Sequence, residues 1–340
     1  MTTVLESLNS GLQRAFAANA DVYLLGEDVL DPYGGAFKVT RGLSTAYPDR
    51  VLTTPVSEAG IAGVAAGMAL RGLRPVVEIM FGDFITLVTD QVINHIAKFR
   101  WMYNEQVRVP LVVRTPMGGR RGYGPTHSQT LEKLFLGVPG LSVLAPTSLG
   151  DPGQLLSDAI LSTDDPVLFI ENKLLYLLPV NEPSSNTEFT VHSSPDHSGG
   201  YDTPAYHVAL RETPAPSLTI CAYGYMAELA YQAISKLAYE YEVFADLVVP
   251  TRLAPLEISP LLDALRRTRR LLALEEGTLS LGWGAEILAR CMETPGLNLE
   301  AARRLAAQEI PVPASSVLEA SAFPQVDQIV ATCLEIAQSR

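Results

Sequence analysis

The stretch Thr54–Pro75 reads TPVSEAGIAGVAAGMALRGLRP and predicts an apolar helix that runs into a strand. Gly60, Gly63 and Gly67 fall at positions i, i+3 and i+7, so they share one face of that helix. Glycine inside a helix costs about 1 kcal/mol relative to alanine, so this face needs a compensating gain. Close approach of another backbone or of a cofactor would supply it.

An acid stands at the head of this helix. Glu58 occupies the predicted first turn, where a carboxylate interacts favourably with the helix dipole, and Ser57 before it is the predicted N-cap. Local physics alone leaves two interpretations open. Glu58 is either an ordinary acid at a helix start or a site residue placed where the helix packs closely.

The segments around this helix alternate between helical and strand patterns. Helices are predicted over Leu5–Ala18, Thr54–Leu73 and Val88–Trp101, and strands over Val22–Asp28, Arg74–Met80 and Val109–Pro116. A second alternation starts near Ala205, after a stretch rich in Ser, Pro, Gly and His. The pattern predicts an α/β fold of two doubly wound domains, 1–180 and 205–340, joined by a linker or long loop over 181–204.

Composition narrows the classes of function. The chain has 340 residues, 47% of them apolar, and a formal net charge of −12, which argues against nucleic acid or an anionic membrane as the main partner. Cys221, Cys291 and Cys333 are far apart and show no metal-binding spacing. The N-terminus lacks the pattern of a signal peptide, and no segment approaches a membrane span. We therefore expect a cytoplasmic protein.

Short motifs occur in a characteristic order along most of the chain. They are GED (Gly26–Asp28), GGAFKVTRGL (Gly34–Leu43), the stretch Pro48–Glu78, FGDF (Phe81–Phe84), DQVINHIAKFRWMY (Asp90–Tyr103), GYGPTHSQTLE (Gly122–Glu132), VPGLSVLAP (Val138–Pro146), DPVLFIENKLLY (Asp165–Tyr176), LEEG (Leu274–Gly277), GWGAEI (Gly282–Ile287) and PVPASSVLE (Pro311–Glu319). The set resembles the beta chain of the thiamine-diphosphate-dependent 2-oxoacid dehydrogenases, the decarboxylating component of the pyruvate, branched-chain 2-oxoacid and acetoin complexes. The resemblance implies a pyrimidine-binding domain followed by a transketolase C-terminal domain.

The resemblance also implies roles for individual residues. Glu58 takes the position of the acid that bonds N1′ of the cofactor's aminopyrimidine, which makes it catalytic and cofactor-binding. Phe84 and Met80 match the wall of the cofactor pocket, although core packing alone would also explain them. His127 matches a histidine of the substrate channel that moves protons. A histidine on a loop so rich in glycine and proline could also be solvated and idle.

Metal and assembly expectations follow from the same resemblance. A structural monovalent cation, K⁺, would be bound largely by backbone carbonyls at Leu111, Ala159, Ile160 and Asp165. No GDG motif, which binds the diphosphate through Mg²⁺ in thiamine enzymes, occurs in the 340 residues. We therefore expect a separate alpha chain to hold Mg²⁺ and the diphosphate, in an α₂β₂ heterotetramer that shares the cofactor.

The implied reaction is the oxidative decarboxylation of an α-keto acid, with acyl transfer to lipoamide on a lipoyl-bearing acyltransferase. The chain has DLVVPTR (Asp246–Arg252) and PVPA (Pro311–Ala314) where relatives carry other residues. These departures support an alternative, in which a two-chain thiamine enzyme loads a two-carbon or acyl unit onto a carrier protein. A third hypothesis is a non-catalytic scaffold. The sequence leaves the choice of keto acid open.

Overall fold

The first half of the chain folds around a mostly parallel sheet. The computed structural model describes residues 2–181 and 188–338. The elements of this half are α1 (Val4–Ala18), β1 (Val22–Gly26), α2 (Leu43–Ala46), β2 (Val51–Thr53), α3 (Glu58–Leu70), β3 (Arg74–Glu78), α4 (Phe99–Met102), β4 (Val112–Met117), β5 (Ser142–Leu144), α5 (Pro152–Leu161) and β6 (Val167–Asn172). The strands β5-β6-β4-β3-β1-β2 lie in that order and pair in parallel. Helices cover both faces, as buried parallel strands require.

A second sheet forms the other domain. Its elements are β7 (Phe189–Ser194), β8 (Ala205–Leu210), β9 (Leu218–Ala222), α6 (Tyr225–Tyr241), β10 (Ala245–Pro250), β11 (Arg252–Ala254), α7 (Ser259–Thr268), β12 (Arg270–Thr278), α8 (Trp283–Glu293), β13 (Ala301–Ala307), α9 (Ser316–Ala322) and α10 (Val326–Gln338). The order is β13-β12-β9-β10-β8-β7, with β7 and β8 antiparallel. The two-domain α/β prediction is confirmed.

Two strands differ from the predicted domain layout. Phe189–Ser194, assigned to the linker 181–204 by sequence, is the edge strand β7, because its backbone pairs with β8 along its whole length. Residues 182–187 of that predicted linker lie outside the described residues. In addition, β11 leaves the second sheet and pairs antiparallel with β5 of the first, with Arg252 opposite Leu144. The second half of the chain therefore completes an edge of the first sheet.

The predicted helix over Val88–Trp101 is wrong in its hydrogen bonding but right in its burial. The chain forms a 3₁₀ turn over Gly82–Val88, a π turn over Gln91–Ile96 and only then the short α4. The N–H of Ala97 bonds the carbonyl of Val92, five residues back, which inserts a residue into the helical ladder. The apolar positions of the pattern still face the core.

Helices α1 and α5 touch through their backbones. A Cβ atom on Gly153 would lie 1.9 Å from the carbonyl oxygen of Ser7, and one on Gly11 would lie 2.1 Å from that of Gly153. Only glycine allows this approach. The contact ties the N-terminal helix to the helix between β5 and β6.

Replacing Gly153 by alanine is predicted to destabilise the protein. The added methyl group meets backbone, which cannot move aside as a side chain can, so we expect a loss of about 1–3 kcal/mol in the free energy of unfolding. Urea unfolding of Gly153→Ala measures it. Gly137→Ala is the matched control, because no heavy atom of the described chain lies within 4 Å of that Cβ position. Equal losses in both variants would contradict the argument.

The carboxyl ends of the strands meet at the junction of the domains. Glu276 of β12 accepts hydrogen bonds from the amide of Gly119 at 2.9 Å and from Asn172 Nδ2 at 2.8 Å. The hydroxyl of Tyr223 donates to Glu132 at 2.6 Å. Loops of the first domain are thus held by the second. Across the described residues, no helix is long and apolar enough to cross a bilayer.

Candidate active site

Glu58 lies in the first turn of α3 with 8% of its surface exposed. Ser57 holds the N-cap position as predicted, although its hydroxyl makes no capping hydrogen bond. Ser57 has φ −167° and ψ 75°. Its backbone carbonyl accepts a hydrogen bond from the N–H of Ile61. Among the described residues, no side chain donates a hydrogen bond to the Glu58 carboxylate.

A second acid faces Glu58. Burial, and then the negative charge of Glu58, raise the pKa of Glu27, while the backbone N–H of Ser57 partly offsets this. Glu27 Oε1 is buried, and no hydrogen-bond partner for it is found within the described chain. A buried carboxyl group is costly unless it is paired. This corner, at the carboxyl end of β1, therefore has acceptor capacity that an external N–H or N⁺–H donor would satisfy.

His127 packs against the aromatic residues that follow β3. Its ring centroid lies 4.8 Å from that of Phe81 and 5.2 Å from that of Phe84, at interplanar angles of 79° and 78°. Its Nδ1 lies 3.0 Å from the hydroxyl of Thr126. The histidine on the glycine-rich loop is therefore half-buried in an aromatic wall. The structure brings together Phe84 and His127, and Met80 is half-buried just before Phe81.

Lys173 is a residue of this cluster that the sequence analysis missed. It is fully buried, its Nζ donates to the carbonyl of His127 at 2.5 Å, and it lies 5.3 Å from the Phe81 centroid and 5.6 Å from that of Tyr123. Burial lowers its pKa to about 8, although the negative charge of Asp83 opposes the shift. The only sequence signal was a lysine directly after the buried strand β6, which favours a functional or paired group.

Arg114 forms a buried ionic cluster with two glutamates. The Arg114 guanidinium bonds Glu171 through Nε at 2.8 Å and Nη2 at 2.6 Å, and its Nη1 bonds Glu78. Burial alone would lower its pKa, but the charges of Glu171 and Glu78 raise it. Glu78 lies at the end of β3, and a Cβ on Gly35 would come within 2.5 Å of its Oε1. This cluster holds the loop after β1 against β3, the strand that leads to Phe81.

Of the residues predicted to bind a monovalent cation, Ala159, Ile160 and Asp165 lie between the end of α5 and the start of β6, and Leu111 directly precedes β4, where its carbonyl accepts from Val167 N. The carbonyls of Ile160 and Thr163 each accept a hydrogen bond from Arg74 Nη1 at 2.9 Å. The Asp165 carboxylate bonds Arg100 at 2.7 Å. K⁺ at this turn stays a prediction, and it would share the Ile160 carbonyl with a guanidinium. Within residues 2–181 and 188–338, no cluster of three or more His, Cys, Asp or Glu could hold a metal ion.

Comparison with known proteins assigns the chain to a family. Residues 2–178 match the transketolase pyrimidine-binding domain, and residues 207–329 match the transketolase C-terminal domain. The pyruvate dehydrogenase E1 component subunit beta-1 of Oryza sativa subsp. japonica is 38% identical over 332 residues, which cover 96% of this chain and 84% of that protein. The corresponding beta subunit of Bos taurus is 35% identical over 333 residues, covering 96% and 88%. The chain belongs to the pyruvate dehydrogenase E1 beta family.

The resemblance to this family stated from sequence is confirmed, as is the fold. A solved chain described as a split gene transketolase, inactive beta4 tetramer, aligns with a TM-score of 0.75 over 100% of this chain and 99% of its own, at 18% identity. That likeness shows the fold alone. Thiamine diphosphate is the cofactor of the family to which the E1 beta chain belongs. The unpaired Glu58 carboxyl fits the aminopyrimidine end of that cofactor.

The burial of Lys173 predicts a specific pH dependence of stability. Its folded pKa is about 8 and its ordinary value is 10.5, so between these values the unfolded chain holds a proton that the folded chain has released. The free energy of unfolding of the wild type therefore rises with pH over this window. Lys173→Met abolishes the gain, which amounts to up to about 3 kcal/mol.

Urea unfolding of wild type and Lys173→Met at several pH values between 7.5 and 10 measures this difference. Lys98→Met, on the surface beside Asn94, corrects for the removal of a lysine in general. The advantage of Lys173→Met over wild type should shrink as the pH rises. A constant difference would show that the amine of Lys173 does not titrate in this range.

Proposed function

We propose that this E1 beta chain is the beta subunit of a 2-oxoacid dehydrogenase. With an alpha subunit, it would catalyse the oxidative decarboxylation of an α-keto acid and transfer the acyl group to lipoamide. The observation that carries the proposal is the Glu58 carboxyl, buried in the first turn of α3 without a side-chain partner in the described chain. The relatives' names, pyruvate dehydrogenase E1 beta, support pyruvate as the first substrate to test.

Each site residue would act on a defined atom. Bound here, thiamine diphosphate would supply the nucleophilic carbon and the electron sink of the decarboxylation. Glu58 would share a proton with N1′ of the aminopyrimidine, in a place dry enough for that hydrogen bond to be strong. Phe84 and Phe81 would exclude water from the ring. The imidazole of His127, whose Nδ1 side faces Thr126, would move a proton at Nε2.

The exposed face of α3 supports a two-chain enzyme. No heavy atom of the described chain lies within 4 Å of a Cβ built on Gly63 or Gly67. Val64 between them is 58% exposed and Val56, just before the helix, is 81% exposed. Contacts within the described residues therefore do not compensate for the helix stability that these two glycines cost. An alpha subunit closing on this face would supply that compensation, in an α₂β₂ heterotetramer whose alpha chain holds Mg²⁺ and the diphosphate.

The acyl acceptor and the cellular location belong to the same proposal. Lipoamide on an acyltransferase is the acceptor that the family relationship supports, and transfer to a carrier protein is the alternative. A reconstituted complex offered each acceptor in turn distinguishes them by the appearance of acylated product. The cytoplasmic location expected from composition stays a prediction.

Glu58→Gln is predicted to remove turnover in the complex reconstituted with its alpha subunit. Loss of a positioned proton-transfer group lowers rates by about 10²–10⁴-fold, and glutamine keeps the shape while it cannot take up the proton. The measurement is CO₂ release from a panel of keto acids, with an artificial electron acceptor. Glu286→Gln is the matched control, because Glu286 is also a first-turn helix acid but is exposed. If Glu58→Gln turned over at the wild-type rate, the catalytic role of Glu58 would be contradicted and the non-catalytic scaffold hypothesis would be favoured.

The glycine face of α3 yields a prediction with opposite signs for fold and assembly. Gly63→Ala and Gly67→Ala should each stabilise the chain purified alone, by up to about 1 kcal/mol, because alanine is the better helix former and both sites are open. The same changes should weaken association with the alpha subunit. Chemical unfolding and sedimentation of the mixed subunits measure the two effects, with Gly137→Ala outside the helix as control. Unchanged association would exclude this face from the interface.

A further inference from the structure

The loop that carries His127 has an unusual backbone. Positive φ values recur at every second residue, at Gly118 (97°), Arg120 (68°), Gly122 (70°) and Gly124 (75°). A side chain with a positive φ costs about 1–2 kcal/mol, so the conformation at Arg120 needs support from outside the loop. Backbone turns of this kind direct successive N–H groups to one side, where they form a concave site for an anion.

The anions that occupy this concave site are two carboxylates of the second domain. Glu319 of α9 accepts from the amide of Arg120 through Oε1 and from that of Gly122 through Oε2, both at 2.8 Å. Glu276 of β12 accepts from the amide of Gly119 at 2.9 Å. Glu319 is 2% exposed, so its bonds do not compete with water. Such charge-assisted bonds are about twice as strong as neutral ones.

Further contacts bind the same loop to the second domain. Arg120 Nη2 donates to the carbonyl of Pro324 at 2.7 Å, and its guanidinium lies 5.2 Å from the Phe323 ring centroid. At the other end of the loop, Lys173 Nζ bonds the carbonyl of His127. The loop is therefore fixed at its backbone on both sides of the tip. Within the described residues, His127 makes no hydrogen bond or ion pair with Glu319, so any effect of Glu319 on the imidazole passes through the backbone of the loop.

We propose that Glu319 is a positioning residue for His127. By holding the amides of Arg120 and Gly122, its carboxylate maintains the backbone turn that sets the imidazole between Phe81 and Phe84. The C-terminal domain thereby controls the geometry of a proton-transfer group of the N-terminal domain. The inference rests on the proposed function, because it requires that His127 moves a proton in the reaction.

The test is a double-mutant cycle in the complex reconstituted with the alpha subunit. Glu319→Gln presents an amide N–H₂ to one backbone donor, so we expect kcat for keto-acid decarboxylation to fall by about tenfold to a hundredfold, the usual cost of a misplaced group. The dissociation constant for thiamine diphosphate, measured by fluorescence quenching, should remain within about threefold of wild type because Glu58 and Phe84 are untouched. In a His127→Ala background, Glu319→Gln should lower kcat by less than about threefold more.

A conservative variant and a control keep the test decisive. Glu319→Asp retains the charge but has a shorter reach, so its kcat should lie between wild type and Glu319→Gln, and it replaces Glu319→Gln in the cycle if that chain does not fold. Glu309→Gln is the control, because Glu309 also accepts a backbone N–H in the second domain, from Ser280, but on the exposed surface. Its kcat should equal that of wild type.

The outcomes separate the inference from the proposed function. If Glu319→Gln reduces kcat by the same factor with and without His127, Glu319 acts independently of the imidazole and the inference is overturned while the proposed function stands. If His127→Ala turns over like wild type, the proposed role of His127 fails, and the inference fails with it. A cycle in which the second change costs almost nothing supports Glu319 as a positioning residue.

Discussion

A carboxyl group without a partner is the constraint on which this site depends. Glu58 lies at the start of α3, nearly covered, with the acid Glu27 beside it and no described side chain donating to it. Burial, and then the negative charge of Glu58, raise the pKa of Glu27 in this corner. Such an arrangement lowers the stability of the isolated chain. An N–H donor from a bound ligand would offset that loss. This corner therefore has hydrogen-bond acceptor capacity that the described chain does not use.

Arg114 shows how two other buried acids of the first domain are paired. Glu78 and Glu171, a few residues from the site, share the Arg114 guanidinium in a fully buried arrangement. Removing one partner of such a cluster typically costs about 3–5 kcal/mol, a large part of the about 5–15 kcal/mol by which domains are stable. The fold thus pairs Glu78 and Glu171 with a cation, whereas no cation of the described chain pairs with Glu58.

The site also depends on contacts between the domains. Strand β11 of the second half of the chain closes an edge of the first sheet, and Glu276 and Glu319 hold the loop that carries His127. The imidazole therefore takes its position from both domains at once. A site of this kind is sensitive to any change that shifts one domain relative to the other, including the binding of further subunits to either.

The amino-acid sequence by itself determined the alternation of helices and strands, the glycine face of α3, the position of Glu58 and the aromatic residues after β3. Hydrophobic periodicity and an ordered set of motifs are local signals, and most elements form where they predict, apart from the 3₁₀ and π turns over Gly82–Val88 and Gln91–Ile96. Only the tertiary structure decided the contacts of Lys173, Glu276 and Glu319, the pairing of β11 and the strand at Phe189–Ser194. Glu319 and its partner Arg120 are 199 positions apart in the chain. Contacts between such distant residues leave no periodic trace in sequence, because packing alone brings them together.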